Sequence, residues 1–326
     1  MTPDAAPDAG PEATPDAGPG TSAGEPLDAV LRAAVVRLRD AGIQTARADV
    51  HRLAGHVLAT GPSEVATAAL TGRRLAPQDA ERFGHLLAQR ADRVPLQHLT
   101  GRAPFRTVEL DVGPGVFVPR PETETVAGLA IQACRSAAAE RAAGAGSGDG
   151  PVVAVDLCTG SGAIALSLAV ELPGTRVVAL ELDPAAFAWA GRNVGRIAPG
   201  AVDLRLGDVA DVAVLADLAG AVDVVVANPP YIPDGARPVD PEVADHDPPA
   251  ALFGGGEDGL VVPAAVVAAA ARLLRPGGWL IMEHGDLQGA ATRALVPARA
   301  GWTDVRTFPD LTRRDRTLVA RRTPAT

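Results

Sequence analysis

Lysine is absent from this 326-residue chain, and all 30 of its basic residues are arginine. That removes a Walker A lysine, a Schiff-base lysine and a lysine general base from the possible chemistries. Aromatic residues make up only 3%, with a single tyrosine, Tyr231. A nucleic-acid surface built on stacking platforms is therefore disfavoured. The net charge of −9 argues in the same direction, against a broad basic face. Arg313-Arg314-Asp315-Arg316 is either a small local basic patch or an ordinary solvated surface. The two cysteines, Cys134 and Cys158, are far apart and lack metal-ligand spacing. Neither a zinc site nor a disulfide framework is expected, and reduced thiols suit a cytoplasmic protein. No apolar stretch precedes the first basic residue, Arg32, so no secretory signal is expected. The longest apolar run, Leu260 to Leu274, contains Pro263 and Arg272 and is too short for a membrane span.

What remains is globular in character, with 47% hydrophobic and 21% charged residues. Residues 1–24 carry the near-repeat PDAAPDAGPEATPDAGPG, which cannot bury apolar surface and is expected to be disordered. From Leu27 the stripe Leu27, Val30, Leu31, Ala34, Val35, Leu38 has the spacing of an amphipathic helix. Further helical stretches near 45–60, 63–70 and 77–93 predict a small all-helical module over residues 25–93. Between 94 and 120, Phe105, Val108, Leu110 and Val112 alternate, which predicts a β-hairpin linker. A helix opened by Pro121, with Glu122 and Glu124 in its first turn, should follow. Strands are then expected at 152–156, 176–181, 202–206, 222–227, 278–283, 302–308 and 316–321. Helices should fall near 162–171, 184–196, 259–274 and 286–299. This alternation means a doubly wound α/β sheet over residues 121–326, closed by an antiparallel hairpin at one edge.

Three strand ends could carry chemistry. Val152 to Asp156 leads into Leu157-Cys158-Thr159-Gly160-Ser161-Gly162 and then AIALSLAVEL. A strand, a glycine loop and a helix let a backbone approach a ligand, although neither the dinucleotide nor the P-loop fingerprint is met. A tight βα turn needing glycine would read the same way. Glu181 ends the second strand, where a carboxylate can hold a ribose diol. Gly207-Asp208 follows the third strand and could accept from an adenine amino group. Each acid is equally compatible with capping, and Asp183-Pro184 itself looks like a helix cap followed by proline at the first helical position. The fourth strand, VDVVVA, runs into Asn228-Pro229-Pro230-Tyr231. The prolines stop both ladder and helix there. An amide oxygen, a carbonyl and an aromatic face at a strand end suit a flat group bearing an NH2. A Pro-Pro turn with Asn as turn former and Tyr as packing accounts for the same residues.

In combination these segments resemble a class I S-adenosylmethionine-dependent methyltransferase of the N-methylating kind. PLQHLTG at 95–101, FVPRPETE at 117–124, EHGDLQG at 283–289 and PDLTRRDR at 309–316 narrow the resemblance to the HemK/PrmC family of protein-(glutamine-N5) methyltransferases. The similarity spans roughly residues 26–321. It implies a Rossmann-like seven-stranded catalytic domain behind a helical N-terminal domain and a hairpin linker. It also implies S-adenosyl-L-methionine as cofactor, S-adenosyl-L-homocysteine as product, and no metal. The implied substrate is the glutamine of the Gly-Gly-Gln motif in class I peptide chain release factors. A monomer with no direct nucleic-acid or membrane partner is expected.

Carried over by motif, Cys158, Thr159, Gly160, Ser161 and Gly162 would contact the cofactor, Glu181 its ribose, and Asp208 and Val209 its adenine surroundings. Asn228 would lie between cofactor and substrate, and Asn228, Pro229, Pro230 and Tyr231 would hold the glutamine amide. The family loop more often reads GTGTG, so Cys158 stands in place of a glycine and Ser161 in place of a threonine. Val209 stands where an aromatic often lies. Two other functions share these features: amino-methylation of a nucleic-acid base, and non-catalytic cofactor binding. His98, His246, His284 and Glu283 are the alternative acid–base residues, although a histidine in such places is more often structural. The segment 232–259, rich in Pro, Asp and Gly, is either a lid or ordinary packing.

Overall fold

A computed structural model describes residues 24–143, 150–296 and 301–323. The acidic extension expected to be disordered lies outside the described residues, apart from Gly24. The chain divides into two compact units, one ending at Ala91 and one starting at Asp92.

The first unit contains β1 (Glu25–Pro26), α1 (Leu27–Asp40), α2 (Ala46–Leu58), α3 (Pro62–Leu70), β2 (Arg74–Leu75) and α4 (Pro77–Ala91). Leu27, Leu31, Ala34 and Leu38 of α1 are buried, as their spacing requires, and Val30 and Val35 are half-buried beside them. Pro62 sits in the first turn of α3, where its missing N–H costs nothing. Asp49 of α2 and Arg90 of α4 form a buried pair at 2.8 Å.

The second unit opens with α5 (Leu96–Thr100), β3 (Arg102–Phe105) and β4 (Val108–Asp111). The hairpin expected over 94–120 is thus confined to 102–111. PLQHLTG instead forms a helical turn, stopped by Gly101 in the left-handed region at φ 71°. Phe105, Val108, Leu110 and Val112 are all buried. Helix α6 (Thr123–Ala142) begins at Thr123 rather than at Pro121. The two residues before it form a turn in which the Arg120 and Pro121 carbonyls accept from Thr123 and Glu124 N–H.

Then come β5 (Val153–Leu157), α7 (Ala163–Glu171), β6 (Arg176–Glu181), α8 (Pro184–Ile197), β7 (Val202–Leu206), β8 (Val222–Ala227) and α9 (Pro241–His246). They are followed by α10 (Val261–Leu273), β9 (Leu274–Glu283), α11 (Gly289–Ala294), β10 (Trp302–Pro309) and β11 (Asp315–Arg322). The final helix is shorter than the sequence suggests, and 297–299, part of that expectation, lie outside the described residues. The sheet order is β10-β11-β9-β8-β5-β6-β7. Strands β5 to β9 run parallel, while β11 lies antiparallel to β9 and to β10 at the edge.

The central strands are buried on both sides, so alternate residues serve two cores. Val224 and Val226 pack with α6 and α7, whereas Val225 and Ala227 pack with α10. Near the start of β8, buried Asp223 accepts from Arg275 and Arg141 side chains, each at 2.6 Å, and from Val153 N–H. This ion cluster lies at the edge of the sheet opposite the candidate site. Among the described residues no helix is long and apolar enough to cross a membrane.

Candidate active site

Parallel register sets the site. Leu157 lies beside Leu180 and Ala227, and Ala227 lies beside Met282. The next residue of each strand or strand exit is Cys158, Glu181, Asn228 and Glu283. All four therefore emerge at one level on the carboxyl edge of the sheet, where open α/β folds bind ligands. A cleft of about 1220 Å³ spans this edge, and all twelve site residues expected from the sequence line it except Gly162. Gly162 turns the loop into α7 at φ 85°.

The glycine loop is built around two carboxylates. Asp156 Oδ2 accepts from Thr159 Oγ1 at 2.6 Å and from Ala165 N–H at 3.0 Å, tying the loop to the first turn of α7. Full burial raises its pKa to about 7 in spite of these bonds, with nearby Glu181 adding to the effect. Glu181 Oε2 accepts from Gly160 N–H at 2.7 Å, and Oε1 accepts from Leu182 and Asp183 N–H. Burial raises this carboxyl as well, while the three backbone donors oppose the shift. A carboxylate offers about four lone-pair sites, so most of the acceptor capacity of Glu181 is already committed. Asp183 caps α8 through Ala185 and Ala186 N–H, with Pro184 following. Of the two acids, Asp183 is the cap, and Glu181 is turned to the loop.

Cys158 occupies the left-handed region at φ 60°. The backbone there would be unstrained with glycine. Its thiol is pushed well up by burial and by Glu181, Asp156 and Asp208. Gly160 is also left-handed, at φ 59°, and a Cβ added to it would meet no atom within 4 Å. The loop thus presents bare backbone to the cleft, a surface that fits a cofactor lying against it. Asp208 Oδ1 accepts from Ala210 N–H at 2.8 Å. Val209 packs into the core beneath with Leu215 and Leu218.

On the other side of the cleft, Asn228 Nδ2 donates to Thr123 Oγ1 at 3.1 Å. Thr123 Oγ1 donates to Glu283 Oε2 at 2.7 Å, and Tyr231 OH donates to Glu283 Oε1 at 3.3 Å. Burial raises Glu283 to about 7, although Thr123, Arg316 and Tyr231 act to lower it. The Tyr231 hydroxyl is driven up by burial and by the Glu283 charge, which keeps it protonated. Among the described residues nothing donates to Asn228 Oδ1 or to the Pro229 carbonyl. An amide NH2 could therefore meet two acceptors here.

The 232–259 segment returns alongside, with Ile232 N–H bonding the Leu252 carbonyl and Gly254 N–H the Ile232 carbonyl. Gln288 donates to the Tyr231 and Asp258 carbonyls, both at 2.8 Å. His98, His246 and His284 do not line the cleft. His284 Nδ1 lies 2.8 Å from the Gly285 carbonyl, and burial lowers its pKa. Among the described residues no cluster of His, Cys, Asp or Glu is placed to hold a metal ion.

Comparison with known proteins gives this cleft a family. The PrmC N-terminal domain model matches residues 29–101, and the methyltransferase small domain model matches 149–244. The release factor glutamine methyltransferase of Streptomyces coelicolor is 45% identical over 298 residues, covering 90% of this chain and 97% of its own. This chain belongs to the release factor glutamine methyltransferase family. The Mycolicibacterium smegmatis enzyme of that name is 44% identical over 91% of this chain and 98% of its own. A 4-amino-L-phenylalanine/4-methylamino-L-phenylalanine methyltransferase of Streptomyces pristinaespiralis is 40% identical, covering 89% of this chain and 93% of its own.

Local sequence pattern points to the loop, the acid and the Asn-Pro-Pro-Tyr turn that line this cleft. It missed Thr123, and it weighed Glu283 only as an acid or base. The available signal was that both lie inside family motifs, FVPRPETE and EHGDLQG. Their meeting across 160 residues could be seen only in the fold.

Proposed function

We propose that this chain transfers a methyl group from S-adenosyl-L-methionine to the side-chain amide nitrogen (N5) of the glutamine in the Gly-Gly-Gln motif of class I peptide chain release factors. The observation that carries this reading is 45% identity to a release factor glutamine methyltransferase along 97% of that relative. The protein acts as a monomer in the cytoplasm, and the helical unit, the hairpin and residues 121–326 form its working parts.

An amide nitrogen is a poor nucleophile because its lone pair is delocalised into the carbonyl. In this reading Asn228 Oδ1 and the Pro229 carbonyl accept the two N–H bonds of the glutamine and hold its nitrogen in one orientation. The Tyr231 ring stacks on the amide plane, while its hydroxyl is held by Glu283. Cys158 to Ser161, Glu181, Asp208 and Val209 hold the cofactor, with the bare Gly160 backbone against it, and Gly162 turns the loop into α7. S-adenosyl-L-methionine, when bound, supplies an electrophilic methyl and leaves as S-adenosyl-L-homocysteine. The protein contributes positioning and fixed dipoles rather than a dedicated base. The proton that the nitrogen must release is already hydrogen-bonded to one of the two oxygens, from which it passes to water.

Label transfer from S-adenosyl-L-methionine tests the reading. The acceptors are a release factor, its loop Gln→Ala variant, DNA, RNA and 4-amino-L-phenylalanine; the last is included because of the S. pristinaespiralis relative. Label only on the unaltered release factor is expected. Label on a nucleic acid or on the aryl amine alone, or none at all, overturns it. Asn228→Ala should reduce transfer by about a hundredfold or more, the scale of a lost positioning group. S-adenosyl-L-homocysteine affinity should stay within about threefold, since the cofactor loop is untouched. Unchanged turnover in that variant would sink the proposed pocket.

A further inference from the structure

Thr123 is only 4% exposed and joins two strand ends, those of Asn228 and Glu283, through one oxygen. A hydroxyl has one proton and two lone pairs. The proton of Thr123 is given to Glu283 Oε2, and a lone pair accepts from Asn228 Nδ2. The second oxygen of Glu283 accepts from Tyr231 OH. An ionised carboxylate can only accept, so the direction of every bond in this chain follows from the charge on Glu283. Asn228 is last in line. Its amide has a donor end and an acceptor end of nearly equal size, and sterics alone would allow either to face the cleft. Engagement of Nδ2 by Thr123 leaves Oδ1 as the end presented.

The geometry points to Thr123 and Glu283 as a positioning pair that fixes the Asn228 amide with its oxygen toward the acceptor, so that the pocket selects an NH2 donor over an oxygen acceptor of the same shape. This rests on the pocket holding a glutamine amide. Glutamate is the informative competitor, because it keeps the shape of glutamine and has no N–H. In the arrangement observed, Asn228 Oδ1 and the Pro229 carbonyl would both face its carboxylate oxygens, acceptor against acceptor. With the hydroxyl of Thr123 removed, the Asn228 amide can turn over and offer Nδ2 to that carboxylate. Thr123 does not touch the acceptor in this scheme. It acts through Asn228.

The test compares binding of two Gly-Gly-Gln loop segments, one with glutamine and one with glutamate at the acceptor position. Binding is measured by calorimetry on the full chain with S-adenosyl-L-homocysteine present. Wild type should prefer glutamine by about a hundredfold or more, because glutamate leaves two buried acceptors without donors. Thr123→Val keeps the shape and lacks the hydroxyl. Its preference should fall by about tenfold, one net hydrogen bond, mainly through tighter binding of glutamate. Thr123→Ser restores the hydroxyl without the methyl and should keep the wild-type ratio.

A Thr123→Val protein with an unchanged ratio overturns the inference, as does Thr123→Ser losing the preference equally, since packing would then be the cause. A wild type that binds both segments alike also overturns it, even if it methylates release factor. Failure of the functional reading is seen separately, as a wild type that labels no release factor.

Discussion

Replacing Gly160 by alanine separates the loop's structural role from its ligand-facing role. The residue lies at φ 59°, where a Cβ would meet no atom of the protein within 4 Å. A left-handed non-glycine residue costs about 1–2 kcal/mol. Reduced freedom of the unfolded chain returns about 0.4–1 kcal/mol. The net loss is about 1 kcal/mol, which in a unit of this size lowers Tm by about 2–4 °C. The new methyl points into the cleft against the face assigned to the cofactor. Over-packing of that kind costs about 1–3 kcal/mol, a loss of at least about fivefold in affinity. The assay is calorimetric titration with S-adenosyl-L-homocysteine beside thermal unfolding. Gly174→Ala is the control: it is also left-handed, at φ 94°, with nothing within 4 Å, and it does not line the cleft. It should lose similar stability and no affinity. A Gly160→Ala protein with unaltered affinity would refute the assignment of the cofactor face. A collapse of Tm by more than about 10 °C, far beyond the strain expected, would refute the open space around its Cβ.

Glu283 and Asp156 are both raised to about 7. Between about pH 4 and 7 the folded form therefore holds protons that the unfolded chain has released. Stability should fall as pH rises through that window. The groups facing Glu283 are Tyr231, Arg316 of β11 and Glu122 ahead of α6; Tyr231 and Arg316 lower its pKa and Glu122 raises it. Urea midpoints should be lower at pH 8 than at pH 5.5, and Glu283→Gln should have a shallower slope; a wild-type slope in that variant contradicts the assignment. The same ionisation directs the Asn228 amide, so wild-type transfer should rise as pH passes through about 7, measured with saturating acceptor. Asp223→Ala leaves Arg275 and Arg141 without their shared carboxylate and should destabilise by about 3–5 kcal/mol, read from urea unfolding. If the cluster is structural alone, turnover at low temperature in that variant should stay near wild type.

Most strands were legible because each is a short β-branched run bounded by turn residues, and burial on both sides of a parallel sheet demands that pattern. Val222–Ala227 is an example, buried at every position. The hairpin is shorter than expected because the alternation of 105–112 does not extend across PLQHLTG, where a left-handed glycine closes a helical turn instead. The glycine loop and the Asn-Pro-Pro-Tyr turn are legible locally, since glycine and proline constrain the backbone wherever they stand. Glu181 was placed correctly at a strand tip. That Gly160 N–H engages it as well, beside the local Leu182 and Asp183 N–H groups, depends on how the Gly160 loop folds back over β6.

The sequence by itself determined the sheet, the glycine loop, the acid at the second strand end and the family, because these rest on local pattern and on motifs. Only the tertiary structure decided which side chains work together. Parallel register brought Cys158, Glu181, Asn228 and Glu283 to one level, although they are scattered over more than a hundred residues of chain. The fold also delivered Thr123, the first residue of α6, between Asn228 and Glu283. A hydroxyl's influence reaches only about 3 Å, so which end of an amide it engages is written in no stretch of sequence. It follows from the packing of one helix start against two strand ends.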